Sequence, residues 1–282
     1  MKLLALSDLH VEHAQNRQAL EALPARPADW LILAGDVSDS ISGLAWTLDV
    51  LQRKFAQLLW VPGNHELWLE RADDASLARP WAGLSTERGV ARYQALVAAC
   101  RARGVLTPED PYAEWPLTVD GSRVRIALMH LLYDYSFAPP AHSGRERAVA
   151  WAAEAGISAA DEVRLAPDPY PSREDWCRAR IAETEPRLAE AARGHALVLV
   201  NHWPLRHDLV RLGRVPRYAP WCGTRATEDW HVRFRALVCV HGHLHVRASD
   251  VRDGVRFEEV SLGYPGHWVP SLGAEHYLRR VL

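Results

Sequence analysis

One stretch constrains the fold of this chain more than any other: the apolar run Trp30-Leu31-Ile32-Leu33, which empties into Ala34-Gly35-Asp36-Val37-Ser38-Asp39. A run of this length and aliphatic character reads as a buried strand, and the glycine marks where the chain turns out of a sheet. In open α/β sheets ligands bind outside the carboxyl ends of the strands, so a carboxylate there is a candidate site residue. Taken alone, Asp36 would be an Asx turn closing the strand. The functional reading gains weight because the arrangement recurs along the chain.

Lys2 to Ser7 predicts a first buried strand that ends in Asp8-Leu9-His10. If the chain stays extended, residues i and i+2 face the same way and both side chains reach one ion. An isolated D-x-H is common by chance and carries no weight without context. Leu58 to Val61 predicts a third strand, running into Pro62-Gly63-Asn64-His65-Glu66, where Gly63 permits an unusual backbone angle and presents Asn64 beside His65. Ala196 to Val200 predicts a fourth strand, followed at once by Asn201-His202. Ala236 to Val240 predicts a fifth, followed by His241-Gly242-His243-Leu244-His245, with His243 and His245 on one side of an extended segment. Gly254 to Leu262 reads as a closing strand.

Helices are expected between these strands. Asn16 is a candidate cap for a helix carrying Ala19, Leu20 and Leu23, and Ser42 for one with Leu44, Leu48, Leu51 and Phe55 in one apolar stripe. Val90, Tyr93, Leu96, Val97 and Cys100 mark another, stopped by Gly104. Asp120-Gly121 predicts a hairpin turn between 115–119 and 123–129. Residues 70–88 read as a surface excursion interrupted by Pro80. Residues 131–172 hold five prolines around an alanine-rich middle, too long for a plain connection, and predict a partly helical cap or lid inserted in a single domain, 1–282. Ser172 with Asp175 resembles a capping box opening a helix through Trp176, Cys177 and Ile181, bent or restarted at Pro186 and ended by Gly194.

Composition removes several function classes. A net charge of -2 gives no basic field for nucleic acid or membrane surfaces, so a nucleic-acid partner is disfavoured. The four cysteines form no C-x-x-C pair, which signals neither a zinc knuckle nor a disulfide framework and fits a reducing, cytoplasmic setting. Asp8 and His10 cut short the apolar start, and no run of about eighteen apolar residues follows, so neither export nor membrane insertion is expected.

Asp8-x-His10, Gly35-Asp36-x-x-Asp39, Gly63-Asn64-His65-Glu66, His202 and Gly242-His243-x-His245 occur in this order, each at an expected strand end. Together they resemble the calcineurin-like metallophosphoesterase superfamily, over residues 8 to 245 and with every ligand position filled. The resemblance implies an α/β fold, specifically a four-layer α/β/β/α sandwich with two divalent metal ions in the crevice at the strand ends. It implies that Asp8, His10, Asp36 and His245 hold one ion and that Asp36, Asn64, His202 and His243 hold the other, with Asp36 bridging. Carboxylate, imidazole and amide oxygen without thiolate suit Mn²⁺ first, with Fe²⁺ or Zn²⁺ as alternatives. Two such cations about 3.5 to 4 Å apart clamp a phosphoryl group and activate water for in-line displacement. The resemblance also makes His65 catalytic, stabilising phosphoryl oxygens or protonating the leaving oxygen, with Asp39 orienting its other ring nitrogen. A turn role for Asp39 stays open.

Other residues near the motifs receive plainer readings. Glu66 is expected only to favour a helix N-terminus. His13, His130, His207 and His241 lack motif positions and are expected to be satisfied core or surface histidines. Trp68, Trp203, Trp221 and Trp268 adjoin motifs and could wall a pocket, but with twelve tryptophans in the chain core packing is the default for each. Purple acid phosphatases carry Tyr where this chain has Asp39, and Ser/Thr protein phosphatases carry Arg where it has Ser40, so both branches are disfavoured. Asn201 to Arg206, Trp221-Cys222-Gly223-Thr224, Glu228-Asp229-Trp230 and Gly254 to Pro265 resemble a bacterial branch, some members of which release phosphopantetheine from acyl carrier proteins. The expectation is a metal-dependent phosphodiesterase of the bacterial cytosol acting on a phosphoester, with an acyl carrier protein as candidate partner. A phosphomonoesterase or nuclease of the same fold is the alternative. A non-catalytic scaffold is the competing class, and it has no need of a complete ligand set.

Overall fold

The computed structural model describes residues 1–70 and 85–282. Most of the expected surface excursion, with Pro80, lies outside the described residues. In chain order the elements are β1 (Leu3–Leu6), α1 (Ala14–Glu21), β2 (Arg26–Ala34), α2 (Ile41–Leu51), β3 (Phe55–Val61), α3 (Asn64–Leu67) and α4 (Gly89–Arg101). There follow β4 (Ala113–Glu114), β5 (Val124–Leu128), α5 (Arg145–Ala153), α6 (Asp161–Arg164), α7 (Arg173–Ala191) and β6 (Ala196–Val200). The chain closes with α8 (Trp230–Arg233), β7 (Ala236–His241), β8 (Ser249–Arg252), β9 (Val255–Glu259) and β10 (Arg279–Arg280).

Two sheets form, one ordered β10-β1-β2-β3 and one ordered β4-β5-β6-β7-β9-β8. β1, β2 and β3 run parallel, as do β5, β6, β7 and β9. Antiparallel strands occupy three of the four edges, β10, β4 and β8, and parallel β3 forms the fourth. The period of two along each strand divides its side chains between two layers. Leu3 and Ala5 of β1 join Ile32, Leu59, Ile126, Val198 and Val238 in the core between the sheets. Leu4 and Leu6 face outward, onto Leu20, Leu44, Leu48, Tyr93 and Leu96 of the first helical layer. On the other flank Ala127, Leu197, Leu199, Cys239 and Phe257 pack on Leu188, Ala191 and Trp230. The result is the four-layer α/β/β/α arrangement, with all parallel strands pointing their carboxyl ends toward one crevice.

The boundaries correct several sequence readings. Asn16 lies inside α1 and is not its cap; it is buried and donates to Leu9 O and Gly263 O, tying two distant loops. Ser40, not Ser42, caps α2 by accepting from Gly43 N. Phe55 belongs to β3 rather than to the α2 stripe, because the helix ends at Leu51 and Lys54 closes the turn. Gly254 to Leu262 contains β9 but does not close the fold: β10 does, pairing with β1. The insertion is partly helical, and Leu132, Tyr133, Tyr135, Ala148 and Ala152 share the core cluster of the first helical layer. Ser172 caps α7 through Asp175 N, and Pro186 lies inside that helix. No helix among the described residues is long and apolar enough to cross a membrane.

Candidate metal centre

The loops that leave the strands are strained where the candidate ligands sit. Asp8, His10, Asp36, His243 and His245 have φ of 53°, 41°, 53°, 71° and 52°. The extended i, i+2 arrangement expected for Asp8/His10 and His243/His245 is therefore incorrect: β1 stops at Leu6, and left-handed residues redirect the side chains instead. Such conformations cost about 1–3 kcal/mol each outside glycine and collect at functional sites when surrounding structure enforces them. The enforcing contacts are visible. Glu66 is fully buried and its carboxylate accepts from Asp36 N at 2.9 Å, Val37 N at 2.7 Å and Gly63 N at 2.9 Å. It stands in the first turn of α3 and accepts from the N-cap residue Gly63, the helix-terminus role expected from sequence, and beyond that role it ties this loop to the one after β2. Burial, then the charge of Asp36, pushes its pKa up to about 7 against the Val37 and Gly63 N–H donors and the charge of His202. Gly63 lies so close that a Cβ there would sit 2.6 Å from Asp36 N.

Every predicted site residue lies in this crevice. Asp8 Oδ1 is 2.8 Å from His245 Nε2, which is 3.3 Å from His10 Nε2. Asp8 Oδ2 accepts from Ser7 Oγ at 2.5 Å and Ser261 Oγ at 2.8 Å. Asp36 Oδ2 is 3.3 Å from His202 Nε2, and Asp36 Oδ1 accepts from His65 N at 2.9 Å. Asn64 Oδ1 lies 3.1 Å from His243 Nδ1. One ligand atom from each of Asp8, His10 and His245 falls within 4.8 Å of the others, and the same holds for Asp36, His202 and His243. His10, Asp36 and His65 form a third such group between them.

The donors fit divalent cations on three counts. His202 Nε2, 3.3 Å from Asp36 Oδ2, is buried without a hydrogen-bond partner, an expensive condition for a polar atom unless a ligand meets it. His202 Nδ1 donates to Ala34 O at 2.8 Å, which fixes the tautomer and leaves the Nε2 lone pair facing Asp36. Finally, the field is strongly negative. Burial opposes charge on His202, yet Asp36 lifts its pKa to about 9, a field that would equally attract a metal cation.

His65 stands beside the ligands with a different set of contacts. Its Nδ1 is 2.7 Å from Asp39 Oδ1, and its Nε2 faces the crevice 3.8 Å from Asp36 Oδ2. Burial would lower its pKa, but Asp36 and Asp39 raise it to about 10. Its ring lies 3.7 Å from that of Trp68. Trp68, Trp203, Trp221 and Trp268 all belong to the buried core.

Sequence reasoning missed several contributors. Tyr264 stacks on His10 at 4.2 Å and brings its hydroxyl within 3.3 Å of His65 Nε2. His267 places Nδ1 3.1 Å from His245 Nδ1. Extending the strand-end rule past β9 would have reached both. Glu12 accepts from Ser38 Oγ at 2.6 Å and Asp39 N at 2.9 Å, holding the loop after β2. Of the histidines without motif positions, His241 is buried with Nδ1 3.2 Å from Gly242 O. His130 contradicts the expectation of a satisfied side chain: it is fully buried against Tyr93 and Trp176, and neither ring nitrogen has a partner.

The sequence model described as calcineurin-like phosphoesterase matches residues 1–247. The chain is 45% identical to the [Acyl-carrier-protein] phosphodiesterase PptH of Mycobacterium tuberculosis (strain ATCC 25618 / H37Rv) over 267 residues, 94% of this chain and 79% of that protein. It also matches the crystal structure of phosphopantetheinyl hydrolase (PptH) from Mycobacterium tuberculosis with a TM-score of 0.90 and 42% identity, covering 100% of this chain and 95% of that one.

Proposed function

The chain belongs to the calcineurin-like phosphoesterase family and is a phosphoric ester hydrolase, and from that premise we propose that it is a phosphodiesterase releasing phosphopantetheine from an acyl carrier protein. The carrying observation is the convergence of Asp8, His10, Asp36, Asn64, His202, His243 and His245 on one crevice, in a chain so similar to PptH. In this reading Asp8, His10, Asp36 and His245 hold one cation, and Asp36, Asn64, His202 and His243 the other. The donor set favours Mn²⁺, with Fe²⁺ and Zn²⁺ as competing ions to be separated by metal analysis. When bound, the cations supply charge neutralisation at the phosphoryl oxygens and a lowered pKa for water.

The chain's own residues do the rest. Ser7, Ser261 and Glu66 fix the carboxylate of Asp8 and the backbone of Asp36, so the acidic wall does not relax when a phosphate approaches. Asp39 holds the Nδ1 proton of His65, which aims Nε2 at the crevice and leaves it free to protonate the departing oxygen. His65 so placed is the catalytic acid and Asp39 its positioning residue. The four cysteines, all unpaired and buried, support a cytoplasmic location.

Incubating Mn²⁺-loaded protein with phosphopantetheinylated carrier protein tests this reading. Mass spectrometry should find apo carrier protein and free phosphopantetheine. Turnover of bis-p-nitrophenyl phosphate with an untouched carrier protein would refute the substrate and leave the diesterase chemistry.

A further inference from the structure

The short helix α6, toward the C-terminal end of the 131–172 segment, touches both halves of the chemistry. Asp161 is fully buried, and its Oδ1 accepts from Trp68 Nε1 at 2.7 Å and from Asn64 Nδ2 at 3.1 Å. An indole N–H can only donate, so Oδ1 is an acceptor whatever the protonation of the carboxyl. Only the NH₂ end of the Asn64 amide can therefore face it. The amide oxygen is turned the other way, into the crevice and 3.1 Å from His243 Nδ1. One turn later Arg164 lies 3.6 Å from Asp39 Oδ2 and stacks over Trp68 at 4.5 Å, the same ring that packs on His65. Arg173 anchors the helix from α7 by donating to Asp161 O and Leu165 O.

We propose that α6 is a positioning device for the catalytic centre: Asp161 fixes which end of the Asn64 amide meets the metal, and Arg164 with Trp68 fixes the Asp39–His65 pair. The inference rests on the reading of Asn64 as a metal ligand. It assigns the insertion a role inside the active site, independent of any opening or closing.

The two ends of α6 act on separable properties. Replacing Asp161 frees the Asn64 amide to flip and present NH₂ to the cation, which lowers metal affinity in the roughly 10- to 100-fold range seen for outer-shell partners. Replacing Arg164 leaves the ligands untouched and loosens His65, which lowers kcat and leaves Mn²⁺ affinity unchanged.

The experiment is calorimetric titration of the metal-free protein and its Asp161→Ala, Asp161→Asn, Arg164→Met and Asn64→Ala variants with Mn²⁺, alongside kcat. Asp161→Ala should lose 10- to 100-fold in affinity for one of two ions. Asp161→Asn should stay within about threefold of wild type, because its amide oxygen can accept both bonds and the Tyr133 hydroxyl beside the carboxyl can accept as well as donate. Arg164→Met should bind both ions normally with a reduced kcat. If Asn64→Ala binds Mn²⁺ like wild type, the ligand reading fails. If Asn64→Ala is weakened while Asp161→Ala is not, or if both Asp161 variants are weakened alike, the positioning role fails. Should Asp161→Ala not fold, hydrogen exchange of the wild-type Asn64 carboxamide by NMR decides: protection in metal-free protein is expected, and free exchange overturns the proposal.

Discussion

The two halves of the crevice meet at Asp36 but are held by very different surroundings. On the Asp36, Asn64, His202 and His243 side the supports are buried, although His243 itself is half-buried: the His202 side chain is 0% exposed and tied to Ala34 O, and Asn64 is held by Asp161. On the Asp8, His10 and His245 side the inner wall is equally firm, with Asp8 at 0% exposure, but the outer wall is not. The His245 side chain is 14% exposed, and its second nitrogen faces the exposed His267. A ligand whose outer partner is solvated loses less by moving. The difference teaches that a shared carboxylate does not make two equal sites: the inner ion should be held tightly and the outer one should exchange.

The largest expected effect comes from the residue both halves share. Asp36→Asn should weaken both ions in a Mn²⁺ titration and cut turnover beyond the roughly 10²- to 10⁴-fold typical of a lost acid or base. His65→Ala should keep both ions by metal analysis and lose turnover within that 10²- to 10⁴-fold range. The His65 loss should grow with leaving-group pKa, since a nitrophenolate departs unaided and an alkoxide does not. Asp39→Asn should copy it in weaker form. Equal defects for both leaving groups would make His65 an electrostatic stabiliser of the phosphoryl oxygens instead.

The comparison sharpens with one histidine from each half. His202→Ala should abolish the tighter binding event in calorimetry and His245→Ala the weaker one. His267→Ala, which touches only the outer wall, should cost the weaker event up to about tenfold, the low end for outer-shell partners, and spare the tighter event. His130 lies in neither half and sets the baseline for pH work. Burial, then the charge of Arg180, pushes its pKa well below the ordinary value. Below about pH 6.5 the unfolded chain takes up a proton that the fold refuses, so stability is full above that pH and falls by up to about 1.4 kcal/mol per unit as pH drops. Denaturant melts of His130→Leu between pH 8 and 5 should show a shallower fall than wild type, and an unchanged slope would contradict the assignment.

Strand-end placement made the crevice legible in the sequence, because an apolar run followed by Asp, Asn or His is a local pattern. The fold followed from the same runs, each buried on both faces, as parallel strands between a helical layer and a second sheet should be. What escaped detection was non-local. Asp161 meets Asn64 across 97 residues and Tyr264 meets His65 across 199, and no periodicity reports such pairs. Glu66 escaped for another reason: its carboxylate is spent on backbone N–H groups of a neighbouring loop, a contact that exists only once β2 and β3 are side by side. The left-handed turns at Asp8 and His243 were hidden because Asp and His occupy that region only when tertiary contacts impose it.

Anomalous diffraction from crystals given limiting Mn²⁺ tests the unequal, Asp36-centred pair most directly. Two peaks should appear about 3.5 to 4 Å apart on either side of the Asp36 carboxylate. The peak by Asn64, His202 and His243 should be the fuller, and the one by Asp8, His10 and His245 the weaker. A fuller peak by Asp8, His10 and His245 than by Asn64, His202 and His243, two peaks of equal height at limiting metal, a single peak that persists when Mn²⁺ is in excess, or an ion coordinated by His65 would contradict it.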